Sequence, residues 1–282
     1  MSESFRSISA LNWGDAIQIL NISSRGMSFE WQLELFSYLL LWQYWNFTPQ
    51  YSLIRYVEAE PAAIALNCAD PESREAYNFY WGALPKFRNP RISLALFDSC
   101  CQRLQDDGYI TLHGDAAPER PVRRYRFIQA QPHLKLLEMQ TAAPNLPSAR
   151  PTYEIRLIDA GALPSLITQP GEPLHWCQRP AFLSHAASFV QILGAFSENS
   201  LKAYAVALTK SSHTTLCDIR SPEHCFAAGN ELLRYVMTHN FCPPLKVTHI
   251  LEDGYAHQLL TSAGFTIIKS FHTLVRDLRP TC

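Results

Sequence analysis

Residues 75–108 constrain the fold of this chain more than any other stretch, because the pattern changes from strand to helix across one short loop. In residues 75–84 aromatic side chains alternate with other types, and Gly82 among them indicates a bulge or a close approach of backbone to ligand. Pro85 ends the strand, and residues 91–107 follow helical spacing. The loop therefore precedes a helix N-terminus, where a phosphate group binds well.

The loop sequence LPKFRNPRIS resembles the coenzyme A pyrophosphate loop of the GNAT superfamily of N-acyltransferases, which usually reads V-x-P-x-x-R-G-x-G-I-G. Pro85, Arg88 and Ile92 match this pattern, whereas the three glycines are replaced. The resemblance implies that backbone amides at the helix N-terminus hold the diphosphate of acetyl-CoA or another acyl-CoA. It assigns coenzyme binding to Leu84, Arg88, Asn89, Arg91, Ile92 and Ser93. The alternative interpretation is that residues 75–108 form an ordinary strand–helix unit that binds no ligand.

A second segment, residues 251–265, resembles the N-x-x-A-x-x-L-Y-x-x-x-G-F segment of the same superfamily. It matches at Ala256, Leu259, Gly264 and Phe265, but Leu260 stands where the family has the tyrosine that acts as general acid. Residues 220–224, at the position of the phosphate loop, contain no glycine. The second half is therefore predicted to share the fold and to lack the chemistry.

The predicted fold class is α/β (α+β), with two tandem GNAT-like domains. Each domain is expected to have a mixed, mostly antiparallel sheet flanked by helices, in an arrangement similar to the mycothiol synthase type. The predicted boundaries are 1–140 for the coenzyme-binding domain and 153–282 for the degenerate one. Residues 141–152, with three prolines, are the predicted linker. Helices are expected at 28–46, 91–107, 181–193, from Ser221 to about 239, and at 253–263.

Transfer of an acyl group to an amine needs a base for the amine, a donor to the thioester carbonyl and an acid for the leaving thiolate. The resemblance places the carbonyl donor near Leu84 and makes Tyr125 the candidate acid. A packed, non-catalytic Tyr125 is equally compatible with the sequence. A cluster of four arginines could hold the ribose phosphate of the coenzyme or form a solvated face. The sequence does not rank the three candidates for the base that deprotonates the amine. The cluster is Arg120, Arg123, Arg124 and Arg126, and the candidate bases are Glu58, Glu75 and Tyr80.

Composition excludes several other classes of protein. A net charge of −1 argues against a nucleic-acid binder or a protein of anionic membrane surfaces. The sequence contains no apolar run long enough to span a membrane and no secretion signal, so the eight cysteines are expected to be reduced in a cytoplasm. No metal is expected, because the pairs His224–Cys225 and His239–Cys242 lack a second pair at zinc spacing. Adjacent Cys100 and Cys101 lie within a helix and are weak candidates for a nucleophile.

The sequence thus predicts an acyl-CoA-dependent N-acyltransferase, most simply an acetyltransferase. Its acceptor is a small-molecule or peptide amine, and its partners include neither nucleic acid nor membrane. The alternative is a catalytically inactive GNAT-fold module for binding or dimerisation, and a homodimer is left open. A third hypothesis assigns coenzyme binding to the second half.

Overall fold

The computed structural model describes residues 3–27, 30–116, 122–147, 152–166, 172–209, 214–239 and 242–280. The chain divides into two compact units. Unit 1 comprises Met1–His133 together with His272–Cys282, and unit 2 comprises Leu134–Phe271. These units differ from the predicted domains 1–140 and 153–282, because the last residues of the chain return to unit 1. The role of residues 141–152 as a linker stays a prediction.

The described strands are β1 Glu3–Ser7, β2 Leu53–Val57, β3 Glu60–Asp70, β4 Glu75–Ala83, β5 Thr111–Asp115, β6 Gln131–Thr141, β7 Glu154–Leu157, β8 Gln191–Ser197, β9 Ser200–Thr209, β10 Thr214–Arg220, β11 Leu245–Leu251 and β12 Thr266–Asp277. The described α-helices are α1 Trp13–Ser24, α2 Leu35–Trp45, α3 Pro90–Asp106, α4 Leu163–Leu166, α5 Pro180–His185, α6 Phe226–His239 and α7 Tyr255–Ser262. None of the helices in the described ranges is both long and apolar enough to cross a membrane.

The sheet of unit 1 has the order β1-β2-β3-β4-β5 and is completed by the second half of β12. Its pairs are antiparallel except β4 and β5, which run parallel. The tight turn between β2 and β3 places Glu58 and Ala59 in the left-handed region, with φ of 52° and 67°. Two such residues in succession match the twist of the flanking strands, so β2 and β3 form a hairpin there.

Helix α3 covers this sheet with one apolar face. Asn89 caps its N-terminus, Pro90 occupies the first turn, where a missing amide hydrogen costs nothing, and the helix ends at Asp106. The face is buried at Leu96, Phe97, Cys100, Cys101 and Leu104. Burying side chains of this size contributes about 1.5–3 kcal/mol each, so α3 is fixed to the sheet that bears the candidate site.

Unit 2 repeats this layout with the sheet order β6-β11-β10-β9-β8-β7, preceded by the first half of β12. Strands β10 and β11 are its parallel pair. Helices α6 and α7 bury Leu232, Val236 and Leu259 in the core together with Val247 from β11. A parallel pair beside antiparallel strands therefore occurs once in each unit.

Three predicted helices differ from the structure. Residues 191–193 belong to strand β8 rather than to the helix predicted at 181–193. A side chain at Gly194 of that strand would place its Cβ 2.5 Å from Ile158 Cδ1, so the Ile158 side chain would have to move to make room for it. Helix α6 begins at Phe226, after a turn in which the Ser221 hydroxyl accepts from the Cys225 amide at 2.7 Å. Helix α2 begins at Leu35, well after the predicted start at residue 28.

Candidate active site

The parallel strands β4 and β5 of unit 1 pair along the first four residues of each strand. Their register ends where Asn78 lies opposite Gly114, although β4 continues to Ala83. The pairing of β4 with β3 shifts at the same place and skips Phe79, which is therefore a β-bulge. The two strands are thus paired up to the bulge and separate there. Beyond the bulge the β4 backbone is not paired with β5.

A pocket of about 40 Å³ lies at this separation. That volume holds a few water-sized groups and is far below the ~300 Å³ of a site for a whole drug-sized ligand. In this conformation the pocket therefore accommodates a small acyl end at most. Its lining combines apolar and titratable side chains, among them Asn78, Trp81, Phe97, His113, Asp115, Tyr125 and Arg276.

Tyr125 and His113 bring candidate acid–base groups to this pocket from different elements. Tyr125 lies in the 3₁₀ segment Val122–Ile128 and is 8% exposed. His113 lies on β5, with its Nε2 3.5 Å from Glu75 Oε2 on β4. The structure thus places the sequence-derived Tyr125 in the pocket, while its catalytic role stays a prediction. Sequence reasoning missed His113, since only the pairing of β5 beside β4 brings its side chain to the Glu75 carboxylate.

The remaining acid–base candidates lie in other settings. Glu58 is exposed in the β2–β3 turn. Tyr80 is buried, and its hydroxyl shares a hydrogen bond of 2.9 Å with the Ser23 hydroxyl. Of the arginine cluster, Arg126 is exposed, whereas Arg120 and the side chains of Arg123 and Arg124 lie outside the described part of the chain. Among the three candidate bases, Glu75 is therefore the one associated with the pocket.

The backbone amides of the predicted pyrophosphate loop are hydrogen-bonded to acceptors within the loop itself. Asn89 Oδ1 accepts from the Arg91 amide at 2.9 Å, and Pro90 has no amide hydrogen. The other amide donors bond within the loop at 2.6–3.5 Å, namely Phe87 to Leu84, Arg88 to Pro85, Asn89 to Phe87, and Ile92 and Ser93 to Asn89. In this conformation every amide hydrogen from 87 to 93 has a partner within the loop, and the Arg91 amide is bonded to the side chain of the asparagine that caps the helix where the family has glycine.

Side chains and carbonyls of the same loop are bonded to neighbouring elements. The Arg88 guanidinium donates to the carbonyls of Ser23 and Arg25 at the end of α1, rather than lying at the α3 N-terminus. The Leu84 amide donates to Ala62 O at 2.9 Å, as an extension of the β3–β4 pairing. The carbonyls of Arg91 and Ile92 accept from Arg55 Nη1, and the Ser93 carbonyl accepts from Trp81 Nε1. The assignment of these residues to coenzyme binding stays a prediction.

The equivalent separation of β10 and β11 in unit 2 is filled by the chain itself. Their register covers residues 214–216 and 245–247, and β10 then bulges at Cys217. Gln178, 2% exposed, bridges the two strands. Its Nε2 donates to Cys217 O at 3.3 Å, to Asp218 Oδ1 at 3.2 Å and to His249 O at 3.2 Å. Leu260 of α7, at the position of the family tyrosine, is fully buried. Within its described residues, unit 2 therefore shows neither an open cleft nor a tyrosine at that position.

A buried ion pair fixes the filled cleft. Asp218 is 1% exposed and accepts from Arg220 Nε at 3.0 Å and from the Tyr204 hydroxyl at 3.2 Å. Burial raises the pKa of the Asp218 carboxyl, although Arg220 and Tyr204 counteract this effect. Arg220 also donates to the carbonyl of Glu172 and to Gln178 Oε1. The pair thereby connects β10 to the segment that occupies the cleft.

Two adjacent cysteines are inert thiols, and another belongs to a cluster that was overlooked in the sequence. Burial raises the pKa of Cys101 to about 12 and raises that of its neighbour Cys100 as well. Both are therefore protonated at neutral pH and unsuited to nucleophilic attack. The search for close His/Cys pairs missed His175 and Cys177, which lie two positions apart and which the fold joins with His249.

Comparison with known proteins identifies the fold. No protein-family model matches the sequence, and no curated protein matches it. Among solved structures, a GCN5-related N-acetyltransferase from Sphaerobacter thermophilus is 12% identical, with a TM-score of 0.69 over 99% of this chain and 97% of that one. A tandem GNAT protein from the clavulanic acid biosynthesis pathway is 11% identical, with a TM-score of 0.69 over 100% of both chains. A putative acetyltransferase from Pyrococcus horikoshii is 10% identical, with a TM-score of 0.68 over 98% of this chain and 89% of that one.

These likenesses extend over both units, and each unit contains the separated parallel pair and the bulge described above. The predicted fold class is therefore confirmed, and the chain has the tandem GNAT fold.

Proposed function

We propose that unit 1 transfers an acyl group, acetyl in the simplest case, from an acyl-CoA to an amine. The observation that carries this proposal is that Tyr125, His113 and the β4 residues on either side of the bulge, Asn78 and Trp81, line one pocket. A shared fold does not by itself fix an activity, so this pocket matters more than the likeness to N-acetyltransferases. The acceptor as a small-molecule or peptide amine, a homodimer and a cytoplasmic location stay predictions.

Each group at the pocket has a role in this proposal. The acyl-CoA supplies a thioester. His113, oriented by the Glu75 carboxylate, accepts the proton that the attacking amine releases. A β4 amide past the bulge donates to the thioester oxygen as negative charge develops there. Tyr125 gives its phenolic proton to the departing thiolate.

Replacing Tyr125 with Phe is expected to lower kcat about 100-fold, since a positioned acid contributes about 10²–10⁴-fold. The affinity for acetyl-CoA should stay the same, because the ring and its packing remain. Steady-state kinetics with a panel of amines, scored by release of free coenzyme A thiol, measures kcat.

Tyr109→Phe is the matched control. Tyr109 packs against Tyr51 at 5.3 Å between ring centroids and is not among the pocket residues, so its kcat should equal that of the wild type. A Tyr125→Phe protein with wild-type kcat would remove the phenol from the mechanism and leave the fold unaffected.

Replacing Asn89 with Gly is expected to tighten acetyl-CoA binding about tenfold. The change frees the Arg91 amide for the diphosphate, and a hydrogen bond to a charged group contributes about 1.5–3 kcal/mol. The cost in stability is only a few tenths of a kcal/mol, because glycine is a tolerated N-cap. Thermal shift against acetyl-CoA concentration gives both values.

Asn12→Gly, which removes the N-cap of α1, is the control for this measurement. It should leave acetyl-CoA affinity unchanged. A flat thermal response of wild type, Asn89→Gly and Asn12→Gly to acetyl-CoA and to longer acyl-CoAs would contradict the proposal.

The same flat response would favour the second candidate, a non-catalytic GNAT-fold module for binding or dimerisation. The specific observation for this candidate is the loop 87–93, whose amides all bond internally. Unit 2 does not support catalysis either, because Gln178 occupies the cleft between β10 and β11.

A further inference from the structure

Three potential metal ligands meet inside unit 2, away from the proposed acyl-transfer pocket. Their ligand atoms, from His175, Cys177 and His249, all lie within 4.8 Å of one another. His175 Nδ1 is 3.0 Å from Cys177 Sγ, and Cys177 Sγ is 3.5 Å from His249 Nδ1. Zinc bonds of about 2.0–2.3 Å at tetrahedral angles place neighbouring ligand atoms about 3.3–3.6 Å apart. These two separations are near that range. The His175 and His249 rings stack with their centroids 4.0 Å apart and their planes 14° from parallel, so binding one ion through both imidazoles requires one ring to rotate.

The cluster is buried and comes from two separate parts of the chain. His175 and Cys177 are each 3% exposed and lie at the start of a 3₁₀ turn. His249 lies on β11, where the pairing with β6 is irregular, and has a φ of 59°. A left-handed conformation at a non-glycine residue costs free energy and persists where the surroundings require it. Here it accompanies the placement of an imidazole beside the thiol.

The donor set indicates the class of ion. One thiolate with two imidazoles suits zinc and similar borderline transition metals, whereas magnesium and calcium prefer oxygen ligands. A nucleophilic cysteine is the other use of a Cys–His contact, but at 3% exposure Cys177 is shielded from a substrate. We propose that His175, Cys177 and His249 bind one zinc-type divalent ion, with the fourth tetrahedral position left for solvent. On binding, the Cys177 thiol releases its proton to solvent.

The position of this site gives the ion a structural role. Cys177 directly precedes Gln178, the residue that bridges Cys217 and His249 across the separated strands of unit 2. An ion shared by Cys177 and His249 therefore joins the segment 172–178 to β11. It holds closed the cleft that would otherwise correspond to a coenzyme site.

Cobalt substitution tests this proposal on the intact chain. Protein stripped with a chelator receives one equivalent of Co²⁺ under reducing conditions. The expected spectrum has a thiolate-to-cobalt charge-transfer band and visible bands of tetrahedral intensity, and one equivalent of Zn²⁺ should remove both. Elemental analysis after gel filtration should find about one zinc per chain.

Variants identify the ligands. Cys177→Ser should lose the charge-transfer band, and His249→Gln should keep that band but bind zinc at least about 100-fold more weakly, since even outer partners of a metal ligand contribute 10–100-fold. The double variant His239→Gln, Cys242→Ser removes the same residue types elsewhere in unit 2 and should behave as wild type. The proposal is overturned if wild type binds zinc no more tightly than Cys177→Ser, or if the control loses binding equally.

A measurement without variants covers the case in which the cluster variants fail to fold. Zinc should raise the melting temperature of the stripped wild-type chain, and a chelator should reverse the shift. An unchanged melting temperature together with zinc that elutes free from the protein would refute the site.

Discussion

A chain that lacks residues 272–282 is expected to lose the folded state of unit 1. Residues 273–277 pair with β5 along its whole length, and Leu274 and Leu278, 5% and 4% exposed, are part of the core beside α3. Each buried leucine contributes about 2–5 kcal/mol. Loss of both removes about 4–10 kcal/mol, which is comparable with the whole stability of a domain, about 5–15 kcal/mol.

Hydrogen exchange checks this expectation region by region. Peptides from β4, β5 and α3 should lose protection in the truncated chain, while peptides from β9, β10 and α6 should keep theirs. A shorter deletion of residues 279–282 leaves β12 and Leu278 intact and should preserve protection in both units. If the long deletion left β5 protected, the last strand would not be part of the fold of unit 1.

Arg220→Met is expected to destabilise unit 2 by about 3–5 kcal/mol at pH 7–8. The change leaves the Asp218 carboxylate buried without its partner, and removing one member of a buried pair costs about that amount. Because burial already raises the pKa of Asp218, the folded variant will bind a proton more readily than the unfolded chain. The loss should therefore grow as the pH rises through the folded pKa and shrink as the pH falls below it.

Urea unfolding of wild type and variant between pH 5 and 8 measures this dependence. Asp218→Asn combined with Arg220→Met should recover much of the stability and should remove the pH dependence. Arg156→Met is the matched control, because Arg156 pairs with Glu154 at the surface, with side-chain exposures of 41% and 63%, and exposed pairs contribute about 0–1 kcal/mol. If Arg220→Met and Arg156→Met lost equal amounts of stability, burial would not be the reason that the Asp218–Arg220 pair matters.

Local sequence signals were sufficient to predict those elements whose ends are marked by residues such as proline and glycine. The prolines and Gly108 mark the ends of β4 and α3. Helix α1 was missed although Asn12 caps it and Asp15 follows in the first turn, a pattern typical of a helix start. Strand β8 was interpreted as helix because a short apolar run fits both periods, and burial between neighbouring strands decided the outcome.

The candidate site was only partly predictable, because its lining depends on distant pairing. Tyr125 could be located from its order after the fifth strand. Leu274 and Arg276 reach the pocket only through the pairing of β12 with β5, and no local pattern marks such a pairing. The Asn89 cap was visible in the sequence, but its consequence for the amides required the geometry of the loop.

The division of β12 between the two units has a consequence for synthesis on the ribosome. Residues 134–271 are translated after the rest of unit 1 and before its last strand, which takes roughly 7–30 s at about 5–20 residues per second. Throughout that interval the nascent chain carries β5 as an unpaired edge, the kind of backbone to which other chains add. The domain that leaves the ribosome first is thus the last to be completed.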